Sequence, residues 1–224
     1  MKKEPILAIL GSIFLFLVII LGSFSLMYGQ KDFYYHEYEK NGVYGRFSGN
    51  ETYAREYAAN VTGNLLDFLK GKSQLQYFTD DERSHLADVK GVIFALNLAY
   101  YISAALFIMI FLILYYLSKP DKLAFIRHLA DITYYGALCC LVFLALLTIM
   151  SVFFFDQTFT LMHLIFFPQG NWMFAQSSLL ITLFPEQFFF DMALRIFIYA
   201  IFQAIVFLWI GWWLRRQVKG KYLK

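Results

Sequence analysis

Residues 157–185, QTFTLMHLIFFPQGNWMFAQSSLLITLFP, decide how the chain is laid out. The stretch holds no Asp, Glu, Lys or Arg and exceeds the roughly 20 apolar residues a helix needs to cross a bilayer. Read as a span, it makes five crossings. Pro168, Gln169, Gly170 and Asn171 break it, however, into 158–167 and 172–184, neither long enough to cross alone. A broken apolar segment at membrane depth is tolerated only where protein or trapped water satisfies its backbone. It is therefore expected to be re-entrant or interfacial, and its break is the first place to look for a site.

The remaining sequence sets the frame around that segment. Of 224 residues, 60% are hydrophobic and 16% charged, with a mean hydropathy of +0.56. This is more apolar side chain than a water-facing surface carries, so a soluble domain is excluded. Four Pro, 13 Gly and only two cysteines, the neighbours Cys139 and Cys140, exclude disordered, collagen-like and disulfide-stapled classes. A net charge of +3 is too small to draw nucleic acid. With 26 Phe and 16 Tyr, the chain is rich in residues that fill bundles and sit at bilayer interfaces, which makes membrane lipids expected partners.

Four other charge-free stretches are long enough to span: 5–30, 91–118, 132–155 and 196–214, the last entered by a helix from residue 191 with Arg195 just inside its outer end. The expected fold is an all-α membrane protein, a bundle of four transmembrane helices with an external cap and a broken segment before the fourth span. In chain order it reads as a tail and first span (1–30), the cap (31–90), the second span (91–118), a cytoplasmic loop with the start of the third span (119–131) and the third span (132–155). The external broken segment (156–190), the fourth span (191–214) and a basic tail (215–224) follow. Lys2 and Lys3, then Lys119, Lys122 and Arg127, then Arg215, Arg216, Lys219, Lys221 and Lys224 all belong inside by charge bias, which puts both termini in the cytoplasm. Five spans would place the basic tail outside. The apolar run 6–28 exceeds the 7–15 residues or so of a signal-peptide core, so an uncleaved anchor is expected.

Within the cap, Ala54, Tyr57, Ala58, Val61, Leu65, Phe68 and Leu69 recur at helical spacing and stop before Gly71, a C-cap candidate. Phe33, Tyr34, Tyr35, Tyr38 and Tyr44 leave room for short strands. Thr79-Asp80-Asp81-Glu82 has the form of a capping box and starts a helix at Asp80 that runs into the second span. On that helix Asp81, His85 and Asp88 stand at i−4, i and i+3, which places two carboxylates on the imidazole's face, the way a general base is commonly prepared; the plainer reading is a surface histidine in a charged helix end.

His163 lies in the apolar run of the broken segment, where an ionisable group is by default a functional candidate, the equal alternative being a histidine satisfied by a backbone carbonyl of a broken helix. The charge rule puts it on the same external side as His85, so the two imidazoles could share one site. His36 and His128 read as structural, and Cys139 and Cys140 as small apolar residues of a span. Arg195 is a candidate for an ester oxygen or a lipid phosphate, or a local partner of Asp191 or Asp156; Asp131 reads as a cap or a partner of Arg127. No Walker loop, nucleophile elbow, zinc-protease or dinucleotide motif is present, so no nucleotide partner is expected. The histidines and carboxylates lack metal-site spacing, and no metal is expected.

The stretch Glu82-Arg83-Ser84-His85-Leu86-Ala87-Asp88-Val89-Lys90, together with His163, Phe166, Phe167, Trp172, Phe174 and Leu183-Phe184-Pro185, resembles the lipoprotein intramolecular transacylases (Lit), small bacterial integral membrane proteins. The resemblance implies transfer of the sn-2 acyl chain of a diacylglyceryl lipoprotein to the α-amino group of its N-terminal cysteine, leaving a lyso-form lipoprotein. It implies no cofactor and a site at the outer leaflet of the cytoplasmic membrane. His85 and His163 are the expected acid/base residues, with Asp88 or Asp81 behind His85. Phe166, Phe167, Trp172 and Arg195 are expected at the substrate. A monomer is expected. The alternatives are a non-enzymatic lipid-binding or assembly protein and a lipoprotein acyl hydrolase.

Overall fold

Apolar runs without helix breakers fold as long continuous helices in the structure, a computed structural model that describes residues 3–222. Lys2 and Lys224, counted in the charge bias, lie outside the described residues. Among the described residues four helices are long and apolar enough to cross a membrane: α1 (Lys3–Met27), α4 (Asp80–Leu117), α5 (Lys122–Phe153) and α8 (Glu186–Tyr222). Between them lie α2 (Lys31–Lys40), a 3₁₀ turn (Tyr44–Arg46), α3 (Glu51–Leu69), α6 (Phe155–Phe166) and α7 (Leu179–Leu183). The chain divides into two compact units, one of Met1–Ser25, Leu96–Ile149 and Ile196–Lys224, the other of Leu26–Ala95 and Met150–Arg195.

The first unit packs α1, α4, α5 and α8 around Leu15, Ile19, Ile110, Leu114, Ile132 and Leu144. Apolar packing alone gives helices little reason to associate in lipid, so close approach over small residues and interhelical polar contacts matter more. A Cβ on Gly211 would meet the Tyr134 backbone nitrogen at 2.5 Å, and one on Gly136 the Ser12 carbonyl oxygen at 2.8 Å. Any larger residue there must push α5 from its neighbours. Gln203 donates to Ser23 Oγ (2.9 Å), Ser25 to Asn97 Oδ1 (2.7 Å), and Arg215 to Asp131 Oδ1 (2.8 Å) while lying over the Tyr134 ring. The partner seen for Asp131 is thus Arg215, reached across helices that sequence spacing does not connect.

Every regular element of the second unit is a helix, and the strands allowed for in the cap do not form. The buried residues Phe33, Tyr34, Glu37 and Tyr38 fall at i, i+1, i+4 and i+5, a helical face whose burial outweighs the β-propensity of the aromatics. Tyr38, fully buried, shares a hydrogen bond with Thr62 on α3 (2.8 Å) and packs against Phe184 and Phe188. α3 starts where the Asn50 side chain accepts from Tyr53 N (2.8 Å) and stops before Gly71, whose φ of +76° is the left-handed conformation that ends helices.

At the start of α4 the capping box closes as its sequence specifies. Glu82 accepts from Thr79 N (2.9 Å), and Thr79 Oγ1 accepts in turn from Glu82 N at 3.4 Å. The same carboxylate, 1% exposed, also accepts from Leu180 N at 2.9 Å in the first turn of α7. One side chain therefore caps α4 and ties down the second half of the broken segment.

Candidate active site

The broken segment folds as its breakers dictate. Its first half is α6, which ends at Phe166; Pro168 keeps the preceding residue out of helical conformation, and Phe167 leaves the helix at φ −132°. Gly170 takes φ +78°, which only glycine adopts freely, and the chain turns there so that Gln169 and Asn171 both face Asp88. Two hydrogen bonds converge on Asp88 Oδ2, from Gln169 Nε2 at 2.8 Å and Asn171 Nδ2 at 2.6 Å. Asn171 Nδ2 also lies 3.3 Å from Ser84 Oγ.

This clamp holds the loop against the α4 turns that carry His85 and brings the two histidines together. Their ring centroids are 6.3 Å apart and their planes 22° from parallel, with residue exposures of 8% for His85 and 7% for His163. Phe167 stands edge-on to His85 at 4.8 Å, and Phe174 lies 5.6 Å from the same ring. Around His163 lie Phe159 at 4.2 Å, Trp172 at 4.7 Å and Phe167 at 5.6 Å. The result is a pair of imidazoles inside an aromatic box, with a carboxylate one residue removed.

A hydrogen bond assigns the tautomer of His163. His163 Nδ1 lies 2.8 Å from the Phe159 carbonyl oxygen, which can only accept; Nδ1 therefore carries the hydrogen and Nε2 the lone pair. The Asn171 amide nitrogen is committed to Asp88 and Ser84, so its oxygen is left as the acceptor near His85. His85 Nδ1 and Asn171 Oδ1 are both buried without a partner in hydrogen-bond geometry, yet close enough for Asn171 to favour the protonated ring. Asp88 acts on His85 through space, its negative charge opposing the effect of burial.

Both histidines lie outside the charge-free part of α4 that begins at Gly91. Burial, aided by His163, pushes His85 down to about 4, while Asp88 and Asn171 oppose the shift. Burial also lowers His163, against the Phe159 carbonyl. Both rings are neutral at neutral pH and offer lone pairs.

The other sequence candidates divide. Phe167 and Trp172 are in the box. Phe166, the last helical residue, is 44% exposed and outside it. Asp81 is exposed and is not among the groups that shift His85, so Asp88 alone of the expected pair acts on the ring. Arg195 lies over the Phe33 ring at 5.3 Å, and Asp191 pairs with Lys40 at 2.6 Å instead. Among the described residues no three His, Cys, Asp or Glu side chains converge as a metal site. Sequence spacing does not mark Asn171, Gln169 or the cross-link from Glu82 as parts of the site. Two amides beside a Pro–Gly break in an otherwise apolar stretch were the available signal, but nothing in spacing joined them to Asp88.

The chain matches the family described as lipoprotein intramolecular transacylase Lit over residues 9–189. Among solved structures it is similar to the membrane-integral lipoprotein intramolecular transacylase Lit of Bacillus cereus, with a TM-score of 0.77 at 18% identity, covering 99% of each chain. Structures of that protein with one histidine changed to arginine or to alanine align at TM-scores of 0.73 and 0.75, again at 18% identity. They cover 98% and 99% of this chain, and 95% and 96% of theirs. No curated protein matches the chain.

Proposed function

The chain belongs to the lipoprotein intramolecular transacylase family, and on that premise we propose that His85 and His163 together carry the proton transfers of its acyl shift. The substrate is a lipoprotein bearing diacylglycerol on its N-terminal cysteine, and the chain that moves is the sn-2 acyl group. The observation that carries this reading is the 6.3 Å pairing of two buried imidazoles.

The amine and the ester are already tethered in the substrate, so proximity is largely supplied before binding. The α-amino group is an ammonium below its ordinary pKa of about 8. Two protons must leave it. One goes to solvent, the other to the departing glycerol oxygen as the N–C bond forms and the C–O bond breaks. His85, backed by the nearby charge of Asp88, takes the ammonium proton. His163 takes the second from the attacking amine and delivers it to glycerol. Each needs a bare ring nitrogen, which the Phe159 carbonyl leaves at Nε2 of His163. The amine attacks directly, so no acyl-enzyme forms. Phe167, Trp172 and Phe174 keep water from the ester and favour transfer over hydrolysis. By the charge rule the site faces the outer leaflet of the cytoplasmic membrane, with both termini inside.

The test is mass spectrometry of a lipoprotein N-terminal peptide from cells making this protein or its His163→Ala variant at matched membrane abundance. The expected result is an acyl chain moved to the amine at constant total mass, only with the intact protein. Loss of one acyl mass would make the protein a lipase, and unchanged peptide in both would end the reading.

A further inference from the structure

The roles of the two histidines leave the reaction short of one group. With hydrogen on Nδ1, His163 presents an acceptor to a substrate and cannot donate to the ester carbonyl before it is itself protonated, and His85 enters the reaction as the acceptor of the ammonium proton. The Gln169 and Asn171 amides donate to Asp88. An acyl transfer nonetheless needs a donor aimed where negative charge develops.

Trp172 carries one. Its Nε1 is buried and has no hydrogen-bond partner, although an indole nitrogen can only donate and buried donors are paired in the great majority of cases. Its ring lies against His163, centroids 4.7 Å apart and planes 35° from parallel, which makes the indole part of the aromatic box around that histidine. The ring is placed by its own neighbours in sequence: Gly170 turns the loop and Asn171 is fastened to Asp88. A donor held rigidly by a clamped loop, and left without an acceptor, is preorganised for an oxygen the protein does not itself supply.

We propose that the Trp172 indole N–H is the oxyanion donor of the acyl shift. This rests on the transacylase reading above and adds to it. As the amine nitrogen bonds to the sn-2 carbonyl carbon, the carbonyl π pair moves onto oxygen, and the indole N–H stabilises that charge. The pair then returns to re-form C=O while the C–O bond to glycerol breaks, glycerol oxygen taking the proton from His163. No other reactant enters.

The experiment compares the unsubstituted protein with Trp172→Phe and with a protein carrying 3-benzothienylalanine at 172, which keeps the bicyclic shape and replaces N–H by sulfur. Transfer on a synthetic diacylglyceryl lipopeptide is expected to fall about 100-fold in both, with KM little changed. Affinity for a lipopeptide with a tetrahedral phosphonate in place of the sn-2 ester should fall by a similar factor, and affinity for the corresponding ether should not. Unchanged transfer with benzothienylalanine overturns the donor, as does slower transfer with undiminished phosphonate affinity. Absence of transfer in the unsubstituted protein overturns the underlying reading and the donor with it, whereas His163→Ala losing activity while the benzothienylalanine protein keeps it overturns the donor alone.

Discussion

The helix bundle and the histidine site differ in how completely their polar groups are paired. Among the described residues, four buried side-chain polar atoms lack a partner; one is the Thr148 hydroxyl of the bundle, and three are His85 Nδ1, Asn171 Oδ1 and Trp172 Nε1. In the bundle, Ser23, Ser25, Asn97, Gln203, Asp131 and Arg215 close on one another. Closed polar pairs hold helices together where burial by itself gives little reason to associate. Open ones cost stability and persist where something else meets the group. The contrast separates polarity that builds the fold from polarity kept for a reaction.

The strongest way to break that contrast is to remove the imidazoles. His85→Ala and His163→Ala should each lower transfer by roughly 10²–10⁴-fold, the range of general acid/base catalysis, with little loss of folded protein. The double variant should be no worse than the poorer single one by more than a few fold, because groups that act as a unit are not additive. A product of the two losses, measured by lipopeptide turnover, would mean that the rings work independently.

Next in size is the clamp behind His85. Asn171→Ala or Asp88→Asn should cost about 10–100-fold, typical of a group that orients another. The acid side of the pH profile gives a sharper test. Below the amine pKa the rate falls as the substrate protonates, and it should fall more steeply near pH 4, where His85 itself takes up a proton. Asp88 holds that value up, so Asp88→Asn should move the second break to lower pH while slowing the reaction. A break that moves upward, or not at all, would show that Asp88 serves only to fasten the loop.

How much of this was legible in sequence depended on the range of the signal. The spans, the α3 helix with its Gly71 stop and the Thr79–Glu82 capping box rest on residues within a few turns of one another, and periodicity or cap chemistry finds them. The His85 face was half legible: helical spacing offered both Asp81 and Asp88, and only the fold of residues 168–172 selects Asp88. Phe166 and Phe167 could not be separated by composition, since the difference is whether the chain leaves the helix before or after each ring. The aromatic run 33–38 was ambiguous because bulky rings suit either a strand or a helix face, and the buried surface offered by Phe184 and Phe188 lies about 150 residues away.

Glu82 sharpens the comparison from the structural side, because it is a closed polar group at the edge of an open site. Glu82→Ala removes the acceptor for Thr79 N and for Leu180 N, and a buried N–H left unpaired costs about 1–3 kcal/mol. The loss should appear in thermal unfolding in detergent, with transfer by the surviving folded fraction changed less than in Asn171→Ala. Glu82→Gln keeps a carbonyl acceptor and should lose less. If Glu82→Gln matched Asn171→Ala in activity while melting normally, Glu82 would belong with the reacting groups.

The smallest effect is expected at Asp131, and it is informative for that reason. The pair with Arg215 is 2.8 Å long, but the side chains are 39% and 27% exposed, and such pairs contribute between nothing and about 1 kcal/mol. Arg215 also lies over Tyr134 at 3.9 Å and Tyr135 at 4.4 Å, contacts that survive when the carboxylate is neutralised. Asp131→Asn should therefore shift unfolding by at most about 1 kcal/mol and leave lipopeptide transfer at the unsubstituted rate. A drop in transfer at normal abundance and stability would mean that a closed pair in the bundle is coupled to the chemistry, and the line drawn between polarity for the fold and polarity for the reaction would have to be redrawn through Asp131.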